Sequence, residues 1–388
     1  MPLYPEDFRT STDPDTGAPG DPEGEYDLAF ERLFASGKKG RIVLDAKDYV
    51  MRRPLVLPRP FTLQGEGGQW GAAAASKLIF RGAKDGVIVE QGATESSLSD
   101  FAIIGPWTGE SGDGLTARTR IRAERLYVQG FTRDAYHFES VERLAEGVNW
   151  NLNNSYLENL SAWRAGRCGL YIDGVNANSI VTLGLNFKEC CRLTPPISKD
   201  ARLDDIPKDL RAASLYDSGF TGNKHTNPVV HTTISSARDA RGRIIPLPAY
   251  WLDDDSATTV LDSGYAEFNS APSIIRGNSR AIGGVLRVDP RSDGIVVPED
   301  SALWRMLRRK TNERGFQVPD GLRIRTERDQ ELFLGRHDVQ LVCLPGAPVN
   351  PPEGYKVGDL WIREDPVEGQ PDIYRLKNTV LGAAWVPV

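Results

Sequence analysis

The chain has 388 residues, 40% of them hydrophobic and 26% charged, with a net charge of −6. That length supports a sizeable core, and the acidic balance speaks against a nucleic-acid partner, whose phosphates need a basic face. No window approaches 18 consecutive apolar residues, so no insertion into a membrane is expected.

The first residues show no basic stretch followed by an apolar one, so synthesis in the cytoplasm without a cleaved signal peptide is expected. Cys168, Cys190, Cys191 and Cys343 lack metal-ligand spacing and read as buried thiols. Residues 1–24, rich in Pro, Asp, Gly and Thr, read as an extended arm. Residues 25–36 read as a short amphipathic helix, with Leu28, Phe30, Leu33 and Phe34 on one face and Gly37 as a stop. A helix placed there covers the open end of whatever sheet follows.

The stretch 40–68 holds three short apolar runs, 42–44, 55–57 and 61–63, separated by polar turns and prolines. Runs this short read as strands. Their spacing leaves no room for the dozen-residue crossover of a βαβ unit. A chain that bends at each corner and lays down successive strands of one coil satisfies both facts.

Two rows of residues give that coil a period. Segments 101–103, 126–128, 160–162 and 185–187 share an apolar–any–apolar pattern at intervals of 25, 34 and 25 residues. The longer interval is 25 plus an insertion of 9, which the polar stretch 141–153 can hold. A second row, 86–90, 114–118, 135–139 and 169–173, starts small and ends charged, and 284–289 is a longer relative. After Cys191 the pattern breaks into an exposed insertion, with a short helix near 206–213. Coils resume at 214–220, 229–235 and 258–282, interrupted by a loop at 236–248. Residues 300–310 read as a helix, 321–344 as alternating strands, 345–352 as a proline-rich linker, and the rest as three antiparallel strands.

On a stack of parallel coils, equivalent side chains lie about 4.8 Å apart. The second row therefore places Glu90, Arg118, Glu139 and Asp173 in one column, and Asp217 sits at a similar corner. Glycoside hydrolysis uses two carboxylates about 5–10 Å apart, one protonated and one ionised. Glu139, Asp173 and Asp217 are the catalytic candidates, and repulsion between Glu139 and Asp173 as neighbours is expected to raise the pKa of one of those two. The same residues also read as solvated corners neutralised by Arg118. Trp107, Trp150, Trp163 and Tyr171, with Arg118, are the candidate substrate-binding residues, because aromatic faces stack on sugar rings. Asp253, Asp254 and Asp255 read as a solvated or cation-binding loop. His137 points opposite to Tyr136 and Phe138, while His225 and His231 flank one groove. No metal-ligand spacing, P-loop, G-x-S-x-G or dinucleotide fingerprint is present, so no cofactor and no metal are expected.

Residues 25–36 followed by 40–68 resemble the opening of the pectate-lyase-like right-handed β-helix proteins, a group that includes polygalacturonase-like enzymes and phage tailspikes. Leu55, Leu57, Leu63, Gly65 and Gly67 match its L-x-L-x-x-x-x-x-L-x-G-x-G element, whereas Ala46 and Asp48 depart from the preceding proline and glycine. The terminal 358–362, with Trp385, resembles small end modules of phage tail-associated proteins. The polygalacturonase Asp, His and Arg-x-Lys signature is missing.

The fold expected is an all-β, right-handed parallel β-helix (solenoid) with an N-terminal capping helix and a small C-terminal β module. Its divisions are 1–39 (arm and helix), 40–298 (solenoid, with insertions near 192–213 and 236–248), 299–345 (helix plus strands) and 346–388 (linker and module). The resemblance implies a tailspike-like carbohydrate-recognition protein of a phage or phage-like particle, a homotrimer released by lysis. Its partners are then a polysaccharide or glycan surface and other particle subunits, and it can cleave the glycan. A non-enzymatic assembly component of a particle is the alternative, and a stand-alone polysaccharide lyase or glycoside hydrolase is a second one.

Overall fold

The computed structural model describes residues 2–9, 25–67, 74–82, 84–107, 112–193, 207, 211–219, 222–233, 247–253 and 259–266. For 231–233, and for strand segments between 274 and 387, it describes the backbone alone. From Arg41 the chain lays one strand in each of three sheets and then repeats. Arg41–Val43 opens the first sheet, Asp48–Met51 the second and Leu55–Leu57 the third; Thr62–Gln64 then pairs in parallel with Arg41–Val43. Among the described residues the sheets reach nine, eight and eleven strands, so the rotation persists along most of the chain.

Alternation along each short strand decides which side chains face inward. Leu55–Leu57 buries its two leucines and exposes Val56, whereas Thr62–Gln64 buries only Leu63. Stacked in register, these residues form apolar columns. Ile42, Leu63, Leu98, Ala123 and Leu157 make one in the first sheet. Leu78, Ile103, Val128, Ala162 and Phe187 make one in the second, and all ten are buried. The small residues that open the third-sheet strands are required by packing. A Cβ on Gly86 would lie 2.3 Å from the Gly114 carbonyl oxygen, and one on Gly114 2.3 Å from Val128 Cγ1.

One left-handed residue turns the chain from the first sheet into the second. Asp100 (φ 65°), Arg125 (49°), Asn159 (51°) and Asn227 (50°) do this in successive circuits, with Gly184 (65°) among them. Asn and Asp tolerate this region, but Arg rarely enters it. Arg125 is held there by a bidentate pair with Asp100 of the previous circuit, at 2.6 and 2.9 Å.

The helix Asp27–Ala35 covers the open end, burying Ala29, Phe30 and Leu33. Phe30 meets Tyr49 at 6.4 Å between ring centroids, and Phe34 meets Phe61 at 5.1 Å. Asp27 ties the helix down by accepting the backbone N–H groups of Arg52 (3.0 Å) and Arg53 (2.9 Å). Leu3 bridges Ile42 and Glu25 bridges Val50, so the first strands of two sheets are paired on their outer edges. Part of the expected arm is therefore a cap, with a 3-10 turn at Pro5–Phe8 beside it; 10–24 lie outside the described residues.

The expected fold class is corrected by this topology. The strands form three stacked parallel sheets, and the third does not stop at a solenoid boundary. It runs on through Ile295–Val296 and Leu322–Arg325, then turns back antiparallel at Glu331–Leu334. In the C-terminal module Leu360–Arg363, Ile373–Thr379 and Gly382–Pro387 pair antiparallel, as expected, but the module is larger than these three strands. It is a mixed five-stranded sheet in which Gln340–Leu344 pairs parallel with Leu360–Arg363 and antiparallel with Phe316–Gln317. Alternating apolar residues identify a strand but carry no information on its partner or direction, which is why these pairings escaped the sequence. The helix expected over 300–310 and the strand at 284–289 lie outside the described residues, as do 206 and 208–210; the described 211–213 are not helical.

Replacing Phe30 with alanine opens a cavity under the capping helix. A loss of about 3–5 kcal/mol is expected, read as a lowered denaturant midpoint and a lowered Tm.

Candidate functional site

The third sheet turns two columns of side chains outward. One, pointing away from the coil interior yet itself buried, holds Thr116, His137, Tyr171, Tyr216 and Trp251. The other pairs Glu139 with Asp173 and Asp173 with Ser218; Arg118 precedes Glu139 and Asp253 follows Ser218. The first column is a ring stack. His137 lies on Tyr171 at 5.0 Å and 13°, and Tyr171 on Tyr216 at 5.0 Å and 9°. The Arg167 guanidinium sits 4.0 Å from the Tyr171 centroid.

Charged groups frame this stack. His137 Nδ1 lies 2.7 Å from Asp134 Oδ2, and Nε2 lies 3.2 Å from Glu139 Oε2. Arg167 donates to both oxygens of Asp134, at 2.9 and 2.5 Å, and Arg133 grips Asp113 with two donors. Burial opposes charge on His137, but the hydrogen bonds to Asp134 and Glu139 outweigh it and push its pKa up to about 9. The His137 hydrogen bond outweighs burial at Glu139 and holds that carboxyl below its ordinary value. Burial also opposes charge on Asp134, yet Arg167 and His137 keep its carboxyl well below the usual range. The repulsion-raised acid expected of the Glu139–Asp173 pair is therefore not Glu139, whose carboxyl the His137 hydrogen bond holds down.

Asp173 is 6% exposed. The Tyr171 hydroxyl donates to its Oδ2 at 3.0 Å and the Ser218 hydroxyl to its Oδ1 at 2.5 Å. Glu139, half-buried, presents the accessible carboxylate of the two. Beside it stands the hairpin of Val141–Arg143 and Val148–Trp150, which is where the nine extra residues go. The Arg118 guanidinium covers the Trp150 ring at 4.7 Å and pairs with Glu90 at 2.7 Å. Glu139, Asp173, Tyr171, Arg118 and Trp150 therefore gather on one face.

The other candidates do not join them. Asp217 faces inward, in register with Ile172 and Leu252. There it accepts from Gly219 N–H (2.7 Å), Asn223 (3.1 Å) and Thr259 (3.3 Å), and lies 2.8 Å from His225 Nε2. His225 Nδ1 in turn lies 2.9 Å from Thr182 Oγ1, and all five side-chain partners are fully or almost fully buried. This cluster is a satisfied interior network, so Asp217 has no access to a polymer and is withdrawn as a catalyst. Aligning Ser214 with Gly169 would have shown it, since Asp217 then falls on Ile172. Trp163 points outward from the second sheet, under Arg164 at 4.5 Å, and Trp107 occupies the turn after that sheet's Ala102–Ile104 strand with φ 52°. Asp253, expected in a solvated loop, is buried and accepts from Tyr216 (2.8 Å) and Arg211 (2.5 Å).

Two other arrangements carry less chemistry. Asp113, Asp134 and His137 offer ligand atoms within 4.8 Å of one another. A cation there would meet the Arg133 and Arg167 guanidiniums and a charged imidazole, so the group is a salt-bridge cluster. Glu124 and Glu158 also pair in register, on the first sheet. Glu124 is taken by Arg122 and Arg125, and Glu158 accepts from Tyr156 at 3.1 Å; among the described residues no histidine bonds to either.

Two outcomes follow for stability. His137 has a folded pKa of about 9 against an ordinary 6.5. Its contribution is complete below pH 6.5 and is lost as pH rises through 9, so Tm should fall across that window and do so less in His137→Gln. Asp217→Ala leaves His225 and Asn223 without their buried acceptor and should cost about 3–5 kcal/mol by chemical denaturation.

No family model matches the sequence, and no curated protein does. Among solved structures, ORF18 of Geobacillus virus E2 is similar at 10% identity over 100% of this chain and 86% of that one, with a TM-score of 0.44. The catalytic domain of a GH87 α-1,3-glucanase in complex with tetrasaccharides is similar at 12% identity, over 70% of this chain and 55% of that one, with a TM-score of 0.31. The same type of domain with nigerose gives 11% identity, 70% and 56% coverage, and a TM-score of 0.27. Likenesses of this size carry no argument about activity.

Proposed function

We propose that this chain is a carbohydrate-recognition protein of a phage or phage-like particle, tailspike-like in use, which cleaves its glycan on the outer face of the third sheet. The observation that carries the reading is the register pairing of Glu139 with Asp173. Strand spacing of about 4.8 Å puts these two carboxylates at the short end of the glycosidase range. Trp150 on the hairpin, with Arg118 against it, supplies an aromatic wall where a sugar ring can stack. The particle assignment rests on the resemblance of the opening motif and of the C-terminal segment. The homotrimer belongs to the same reading, and light scattering tests it.

Recognition without cleavage is the second reading. The burial of Asp173 favours it, because an attacking water must reach that carboxylate.

A glycan array combined with reducing-end assays separates the two. Binding with cleavage is expected, and Glu139→Gln and Asp173→Asn should each lower the rate at least ~100-fold while binding persists. Trp150→Ala should weaken binding roughly tenfold, the scale of one aromatic contact. Binding without cleavage would select the second reading, and no binding to any glycan would overturn both.

A further inference from the structure

Glu139 is backed by a chain of groups that no sequence motif announces. His137 is fixed on both nitrogens: Nδ1 faces Asp134 Oδ2 at 2.7 Å, and Nε2 faces Glu139 Oε2 at 3.2 Å. A neutral imidazole carries one N–H and one lone pair, so it would turn a lone pair towards one of these carboxylates. Only the imidazolium donates to both. The ring cannot turn away, because Tyr171 stacks on it at 5.0 Å and 13°. Asp134 cannot follow the ring either, since Arg167 and the Cys168 N–H (3.1 Å) hold its carboxylate from the other side.

The groups facing the ring come from every neighbouring element. Asp113 lies 3.8 Å from Nδ1, Asp134 stands at the corner before the strand, and Glu139 lies on the strand itself. Thr116 comes from the preceding strand and Tyr171 from the next, with Arg133 and Arg167 behind the carboxylates. A positive ring thus completes a cluster of acids and guanidiniums, and its Nε2 side leads to the half-buried Glu139.

We propose that Asp134, His137 and Glu139 form a proton relay in which His137 keeps a proton beside Glu139, so that the His137–Glu139 pair is the acid of the site and Asp134 fixes the ring. This deepens the glycan-cleaving reading and rests on it. In the step, the proton on Nε2 passes to Glu139 and from there to the glycosidic oxygen. The C–O bond breaks with its electron pair going to that oxygen. Asp173, at the short separation of a retaining pair, takes the anomeric carbon as a covalent ester, which water then hydrolyses, its hydroxyl going to the anomeric carbon and its proton returning to the His137–Glu139 pair. His137 never touches the sugar; it is a positioning residue that acts through Glu139.

The test joins a titration to a pH profile. Long-range ¹H–¹⁵N spectra resolve the four histidines of the chain, and His137→Gln identifies the signal. One histidine should remain an imidazolium up to about pH 9 and should titrate at least one unit lower in Glu139→Gln. That replacement sits at a half-exposed position and keeps an acceptor, so it reports even where His137→Gln fails to fold. On a glycan that is cleaved, His137→Gln should lower kcat with KM unchanged and move the alkaline limb of the rate profile to lower pH. A His137 signal titrating near 6.5, or an unchanged rate profile in His137→Gln, would overturn the relay while leaving the glycan-cleaving reading intact. A wild-type protein that cleaves no glycan overturns that reading and the relay's catalytic role with it, whatever the titration shows.

Discussion

Everything on the outer face of the third sheet depends on one constraint, the in-register pairing of parallel strands. Equivalent residues of successive circuits stand about 4.8 Å apart, so each side chain has its own column for company. An apolar column simply packs, as Leu78, Ile103, Val128 and Phe187 do. A polar residue must find its partners along its own column or in the one beside it. His137 finds Tyr171 along its column and Glu139 and Asp134 to its sides. Asp173 finds Ser218 above and Tyr171 alongside.

The same rule applied indoors gives a different result. In the first sheet, the inward column that holds Leu157 continues as Thr182, His225 and Leu261, and it faces Asp217 from the third. An aspartate, a histidine and hydroxyls occur in both places, and their chemistry is much alike. Access separates them. The interior set is closed on all sides and saturated by Asn223, Gly219 and Thr259, whereas the outer set ends on a carboxylate that solvent and a polymer can reach. Residue type therefore says little here until the facing of the strand is known.

That facing sets what the sequence could show. The circuit length was legible because an apolar–any–apolar triplet marks two inward positions directly, as Phe101 and Ile103 do. Glu139 and Asp173 were legible as neighbours because both close a row that opens on a small residue. Asp217 was misassigned by one position, and one position exchanges inside for outside. Trp163 was credited to the site on composition, although its own triplet places it one residue past an inward alanine on a different sheet. His137 had no signal beyond its parity, because the group that fixes it, Asp134, comes from a corner and is itself held by Arg167 from the next circuit. The two strands added to the end sheet, Gln340–Leu344 and Phe316–Gln317, were illegible as its members for a related reason: hydrogen-bond partner and direction leave no trace in the pattern of apolar residues.

The hairpin that carries Trp150 enters between two circuits without disturbing either. Ile121–Glu124 pairs with Tyr156–Glu158 after it as regularly as with Ser96–Ser99 before it. Closing a somewhat longer loop at that corner costs little, because the entropy grows only with the logarithm of its length. The framework and the overhang are therefore separable heritable traits. Descendants of this chain can rewrite what hangs beside Glu139, by duplication or exchange of a few codons, while the sheets beneath stay as they are.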